Sequence, residues 1–499
     1  MREGFTHLKD APDVTPFTPP TADQLLAIRV NAGIDELAQT ERFAHAEPDL
    51  VEAIVEGVGQ FAAGEFAPLN RKGDLEGAKL ENGVVRLPDG FEAAYHAYVE
   101  QGWNAIASPV EHGGQGLPFT LSCNVLENLG AANMAFTLLP MLSVGAIEAL
   151  EHHGSNDQKA MYLPNLVSGK WSGTMNLTEP AAGSDVGALR SVAEPIVNGP
   201  HAGKYRITGQ KIYITWGEHE ITENIIHLVL ARLPDAPAGT RGISLFLVPK
   251  YLVNDDGSIG ARNDLHCHSL EHKLGIHGSP TCTMIYGDGK YGDEAGAIGW
   301  LIGEENKGLA CMFTMMNNAR LAVGMQGVAI CEAATQKAVQ YAKDRTQGKA
   351  PGWTGSGMSP IIEHPDVARM LVTMKALTQG SRAICYVCAH ATDMSHHADG
   401  DEARHWAERA ALLTPIAKSF ATDAGVDVAS LGIQTHGGMG FIEETGAAQY
   451  YRDARILTIY EGTTAIQAND LVGRKTARDG GTSAKAIAAQ IEKTEAELL

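Results

Sequence analysis

The spacing of apolar residues changes twice along this chain, and that change restricts the possible folds more than any single motif. From about Asp49 to Ser168 apolar positions recur every three or four residues, in the stretches Val51 to Phe66, Phe91 to Gln101, Leu117 to Asn133 and Phe136 to His153. Gly102, the loop His112-Gly113-Gly114-Gln115-Gly116 and Gly154 supply the breaks. The spacing then shortens to two. Tyr205 to Thr208 and Lys211 to Thr215 alternate on either side of Gly209-Gln210, which predicts a hairpin, and Ile225 to Leu233 and Gly242 to Pro249 read as further strands. Helical spacing returns near Lys307 and continues to Arg474, interrupted by the loop from Gly348 to Gly357 and the turn Gly437-Gly438-Met439-Gly440. Helices, then strands, then helices imply segregated elements, so the expected fold is α+β with a β domain between two helical ones. The expected boundaries are an arm over 1–48 with a short helix around Ala22 to Glu41, a helical domain over 49–170, a β domain over 171–300 and a helical domain over 301–475. Residues 476–499 read as the start of a C-terminal extension, helical from Thr482 to Leu499.

Composition removes several classes of function. A net charge of −20 over 499 residues, with scattered Lys and Arg, argues against a nucleic-acid partner, whose phosphates require clustered basic side chains. No apolar run reaches the roughly 18 residues of a membrane span, and Met1 to Pro20 carries no signal-peptide core, so a cytoplasmic protein without membrane insertion is expected. Seven cysteines form no disulfide framework and should be reduced thiols. Cys385 and Cys388 precede His390, His396 and His397, which invites a metal reading, but Leu371 to Met394 has helical spacing and no second ligand pair stands at zinc-like distance. No metal is expected. Neither G-x-G-x-x-G nor a Walker loop occurs, which speaks against a Rossmann or P-loop nucleotide site.

The richest chemistry lies near the end of the chain. Tyr460-Glu461-Gly462-Thr463-Thr464 follows the apolar run Ile456 to Ile459, placing one carboxylate between an apolar segment and a turn whose threonine hydroxyl can cap the next helix. Desolvation there would raise the pKa of Glu461 and make it a general base. The plainer alternative is an acidic residue decorating a helix start, where the helix dipole favours negative charge.

Several separated motifs together resemble the acyl-CoA dehydrogenase family from roughly Asp49 to Lys475. They are Leu177-Thr178-Glu179-Pro180-Ala181-Ala182-Gly183-Ser184-Asp185, Gly209-Gln210-Lys211-Ile212-Tyr213-Ile214-Thr215, Arg345, Gln434-Thr435-His436-Gly437-Gly438 and Tyr460-Glu461-Gly462-Thr463, in family order. Within the family, Met175 to Pro180, Ser269 to Thr281 and Phe313 to Leu321 look most like the members that act on 3-(methylthio)propanoyl-CoA. The resemblance implies an N-terminal helical domain, a middle β-sandwich or barrel and a C-terminal four-helix bundle. It also implies FAD as cofactor and α,β-dehydrogenation of a short acyl-CoA thioester, with Glu461 removing the α proton as a hydride leaves for the flavin. The enolate would be held by the backbone N–H of Glu461 and by a ribityl hydroxyl of FAD, preorganised donors of a kind worth roughly 3–4 kcal/mol each.

Carried over residue by residue, Thr178, Tyr213 and Thr215 would meet the flavin, joined in the cofactor site by Met175, Leu177, Gly183, Ser184 and Thr463. Arg345, Gln434 and Gly438 would reach the FAD of a neighbouring subunit, which implies a homodimer or homotetramer. Ser184, Asn317, Arg320 and Gly462 would contact the acyl-CoA, and an electron-transfer flavoprotein would accept the electrons. Each residue also has a plain reading: strand patterning for Tyr213 and Thr215, a Pro-Gly loop for Gly183-Ser184, a helix-end charge for Arg345, a polar helix face for Asn317 and Arg320, and a turn glycine for Gly462. Tyr213, Asn317, Ala465 and His277 depart from the commoner family residues, and Arg345-Thr346-Gln347-Gly348 lacks the usual phenylalanine. An acyl-CoA dehydrogenase of other short- or medium-chain specificity, an acyl-CoA oxidase and an FAD-containing binding protein of the same fold are the alternative readings.

Overall fold

The computed structural model describes residues 17–292 and 294–498, so the first part of the expected arm lies outside the described residues. The chain forms two compact units. One comprises the residues up to Arg71 with Leu117–Met134 and Arg320–Leu499; the other comprises Lys72–Gly116 and Ala135–Ala319.

The first unit is helical. Pro48–Phe61 begins with proline at its first turn, where no N–H is needed, and buries Val51, Ile54, Val55 and Val58 along one face. Phe119–Ala132 is buried nearly all round, and its Thr120, Asn124 and Glu127 bond Asp393, Tyr386 and Arg382. The fully buried Arg382 of helix Pro365–His397 donates to Glu127 on that helix and to Glu332 on helix Gly308–Asp344, both at 2.8 Å, while Tyr386 donates to the other oxygen of Glu127 at 2.7 Å. This network fixes the mutual register of three helices. Gly400–His436 completes the long elements, followed by Ala447–Ala454 and Thr464–Asn469. The expected helix around Ala22 to Glu41 is instead broken into Thr21–Leu26, a π-helical turn over Ala27–Asn31 and Ile34–Leu37, divided by Gly33 in a left-handed conformation.

The second unit carries an eight-stranded sheet. Its path runs Leu265–Leu270, Thr281–Tyr286, Tyr205–Thr215, Ala297–Ile302, Ser244–Pro249, Asn224–Ala231 and Trp171–Asn176, with Val192–Pro195 added to Tyr205–Thr215. All pairs are antiparallel except Trp171–Asn176 with Asn224–Ala231. Ile207, Ile214, Val229, Phe246, Val248, Leu265 and Met284 lie in its core.

Two expectations are corrected in this unit. Tyr205–Thr215 is one eleven-residue strand, not a hairpin. Its first half pairs with Ala297–Gly299 and its second with Thr281–Tyr286, and Gly209, at φ 149°, sits at the changeover where an added Cβ would lie 2.3 Å from the Ser191 hydroxyl. Glycine thus serves to redirect a strand, as at a sheet corner. Second, helix Met134–His153 is by length and hydropathy apolar enough to cross a bilayer, although the residues had suggested no such run; 78% of its most apolar window is buried in the protein, as befits a core helix.

Candidate active site

The segment between helices Ala447–Ala454 and Thr464–Asn469 carries Glu461. The Thr463 hydroxyl accepts from the N–H of Ile466 at 3.3 Å, so the expected threonine cap starts the following helix. Glu461 and Gly462 both take left-handed conformations, at φ 53° and 87°. For glutamate that is an uncommon backbone state, sustained only where surrounding contacts over-determine it. At Gly462 an added Cβ would meet Gln467 Nε2 at 2.6 Å, so the fold itself demands glycine. The contacts come from two buried side chains. Gln467 Nε2 donates to the carbonyls of Glu461 and Gly462 at 3.2 and 3.1 Å, and Lys418 Nζ donates to those of Leu457 and Gly462, both at 2.8 Å. Tyr460 donates to Gln326, tying the same segment to helix Gly308–Asp344.

Burial pushes Glu461 up to about 7, against the opposing pull of Arg320 and Lys418. A carboxyl so placed is divided between acid and base forms at neutral pH, the range most useful for proton abstraction. Burial likewise pushes Lys418 down to about 8, partly offset by the charge of Glu461. Arg320 is buried and paired with Asp470 at 3.0 Å, while its Nε has no hydrogen-bond partner among the described residues. Asp470 also accepts from Arg474 at 2.7 Å. The helical unit therefore brings Glu461, Gly462, Thr463 and Arg320 together.

In the β unit, Met175 lies near the end of strand Trp171–Asn176, and Leu177 and Thr178 follow it. The N–H of Ile212 donates to the Thr178 carbonyl at 2.9 Å, which sets Leu177-Thr178 beside Tyr213 and Thr215. The fully buried Lys211 secures this arrangement by donating to the Leu177 carbonyl at 3.1 Å and to Glu179 at 2.7 Å. Glu179 in turn accepts from the N–H groups of Arg190 and Ser191. Tyr213 sits at φ 62° with 60% of its surface exposed, an unusual state for a large ring on a strand. Gly183 and Ser184 are exposed just beyond the Glu179–Ala182 bridge. Asn317 is exposed on helix Gly308–Asp344, three residues before Arg320.

Arg345, Gln434 and Gly438 also converge within the helical unit. Tyr341 stacks on His436 with ring centroids 4.2 Å apart, bringing the end of helix Gly308–Asp344 to the end of Gly400–His436. Arg345 and Gln434 are exposed there, and Arg345 bonds Gln347 at 3.3 Å.

The residues fit a flavin dinucleotide. At Gly183 and at Gly438 an added Cβ would meet nothing within 4 Å, and neither glycine has a left-handed backbone. Packing within the chain requires glycine at neither position. The open space leaves room for close backbone approach by a ligand. The exposed ring of Tyr213 in the one unit and the fork of Arg345 in the other, which suits a pyrophosphate, are each of a type such a group can use.

Models of the acyl-CoA dehydrogenase N-terminal, middle and C-terminal domains match residues 49–170, 174–288 and 306–475. The chain belongs to the acyl-CoA dehydrogenase family. It is an FAD-dependent oxidoreductase of the acyl-CoA dehydrogenase kind. It is 50% identical over 483 residues to the 3-methylmercaptopropionyl-CoA dehydrogenase of Ruegeria pomeroyi, covering 97% of this chain and 80% of that one. It is 38% identical over 435 residues to a butyryl-CoA dehydrogenase of Syntrophomonas wolfei, covering 85% and 70% respectively. An acyl-CoA dehydrogenase of Bacillus anthracis solved with FAD superimposes with a TM-score of 0.71 at 23% identity, covering 90% of this chain and 71% of that one.

Sequence reasoning did not single out Lys418, Gln467, Asp470 or Gln326. Lys418 lies in a regular helix 43 residues before Glu461, and only a lysine at an otherwise apolar helical position (Leu412, Leu413, Ala417, Ala421) could have marked it.

Proposed function

We propose that this enzyme oxidises 3-(methylthio)propanoyl-CoA to 3-(methylthio)acryloyl-CoA, with Glu461 as the base and an electron-transfer flavoprotein as acceptor. The Glu461 carboxyl, pushed up to about 7 by burial and mounted on a turn held from two sides, is the observation that carries the reading. The half-identical Ruegeria relative, by its name, supports the substrate. Glu461 takes the α proton. Its own N–H, fixed by the left-handed turn, is a candidate donor to the thioester oxygen, where charge develops. FAD, when bound, supplies the two-electron acceptor for the β hydrogen. Met175, Leu177, Thr178, Gly183, Ser184, Tyr213, Thr215 and Thr463 make up the cofactor site, and Ser184, Asn317, Arg320 and Gly462 serve the acyl-CoA.

Arg345, Gln434 and Gly438 complete the FAD site of a second copy. Phe441, 85% exposed in the turn that follows Gly438, is the kind of apolar surface that a homo-oligomer covers. Seven unpaired, buried thiols accord with a reducing compartment such as the cytoplasm.

Anaerobic titration with acyl-CoA esters tests the reading. Wild-type enzyme should bleach on adding 3-(methylthio)propanoyl-CoA, whereas Glu461→Gln should keep its bound FAD and its colour. Rapid bleaching of that variant removes Glu461 as base. Turnover with oxygen alone, releasing peroxide as fast as with the flavoprotein acceptor, removes the acceptor assignment.

A further inference from the structure

Lys418 is fully buried in the middle of helix Gly400–His436. Among the described residues it forms no ion pair, and both of its hydrogen bonds go to main-chain carbonyls. A buried ammonium without a carboxylate partner is expensive, and an apolar side chain of the same length would pack there at less cost. Stability alone does not account for the residue. Its two acceptors do: Leu457 and Gly462 lie on either side of Glu461 in the chain, so one cation clamps both ends of the turn that carries the base.

We propose that Lys418 is the positioning residue of the active site, holding the Leu457–Gly462 segment in the left-handed shape that aims both the Glu461 carboxylate and the Glu461 N–H. The inference rests on Glu461 being the base. The clamp acts where tolerance is least, since displacement of a reacting group by about 1 Å can slow chemistry on the order of a hundredfold. Its charge has a second effect. The groups acting on Lys418 are Glu461, Arg320 from helix Gly308–Asp344 and Asp423 on its own helix. Arg320 is engaged by Asp470, so Lys418 and Arg320 are the two cations that stabilise the charged form of Glu461. Removing Lys418 therefore disturbs geometry and electrostatics together, and the two effects separate by choice of variant.

The test compares FAD-loaded wild type, Lys418→Met and Lys418→Arg, reading single-turnover flavin reduction per bound FAD against acyl-CoA concentration and pH. Hydrogen exchange of the peptide spanning residues 457–463 is followed in parallel. In Lys418→Met the limiting reduction rate should fall by about tenfold or more while acyl-CoA affinity changes by less than about threefold. Its rate–pH midpoint should move to higher pH, because a stabilising cation is gone, and exchange of the 457–463 amides should accelerate. Lys418→Arg keeps the charge but not the two short bonds, so it should lose rate with the midpoint in place. A Lys418→Met holoenzyme with wild-type rate, midpoint and exchange overturns the inference. Should that variant fail to fold, wild-type reduction by Lys418→Arg overturns it equally. Glu461→Gln, run alongside, separates the two readings: if it still reduces flavin, the base assignment has failed, whatever the Lys418 variants do.

Discussion

Asp393, near the end of helix Pro365–His397, accepts the backbone N–H of Thr120 at 2.9 Å and its hydroxyl at 2.7 Å, and with its other oxygen the N–H of Phe119 at 2.6 Å. The first turn of helix Phe119–Ala132 is thus capped by a side chain 273 residues further along the chain than Thr120. Pro118 precedes that helix and offers no side-chain cap of its own, so the orphan N–H groups are satisfied by tertiary packing.

Asp393→Ala should therefore destabilise the helical unit by about 1–3 kcal/mol, as expected when buried donors lose their acceptor. Denaturant unfolding followed by circular dichroism measures it; an unchanged midpoint rejects the cap as a stabilising contact.

Arg382 neutralises two buried carboxylates at once. Arg382→Met leaves Glu127 and Glu332 buried without a cation and should destabilise by about 3–5 kcal/mol. The triple variant Arg382→Met, Glu127→Gln, Glu332→Gln should recover much of that loss, since the penalty lies in the unpaired charges. Thermal unfolding of wild type, Arg382→Met and the triple variant, with Glu127→Gln and Glu332→Gln as references, decides between this and simple loss of packing volume.

Burial of Glu461 makes stability depend on pH. Its folded value, about 7, lies above the ordinary 4.5, so protonated Glu461 favours the fold. Its ionisation works against the fold, not at all below about pH 4.5, progressively up to pH 7 and fully above that. Glu461→Gln removes this penalty. The residue retains some surface, which reduces the effect, and a gain of about 1–3 kcal/mol at pH 8 that disappears by pH 5 is expected from the linkage relation. Equal stabilisation at both pH values would contradict a buried, titrating carboxyl.

Gly183→Ala and Gly438→Ala probe the cofactor fit without disturbing the chain's own packing, because an added Cβ meets nothing within 4 Å at either position. Apoprotein melting temperatures should stay within about a degree of wild type, corresponding to a few tenths of a kcal/mol. FAD occupancy should fall for both, and for Gly438→Ala the fall should be accompanied by a weaker oligomer in analytical ultracentrifugation. Full FAD occupancy in both variants rejects the reading that a ligand backs onto these glycines.

Hydrophobic spacing alone revealed the helix–strand–helix order, because periods of 3.6 and 2 follow from local geometry. Short motifs marked Glu461, Thr178, Tyr213 and Arg345 as candidates, because the role proposed for each needs a particular residue type at its position. The Tyr205–Thr215 hairpin was misread for a related reason: Gly209 looks the same in a turn as in a strand that changes partners, and only Ser191 and the two neighbouring strands distinguish them. The strand order of the sheet, the pairing of Arg382 with two distant carboxylates and the cap from Asp393 depend on contacts between residues tens to hundreds of positions apart, about which local pattern carries no information. The same holds for Glu461. Its motif is written in five consecutive residues, but its raised pKa comes from tertiary burial, which outweighs the opposing pull of Arg320 and Lys418, and its left-handed turn is held by the bonds that Lys418 and Gln467 make to neighbouring carbonyls.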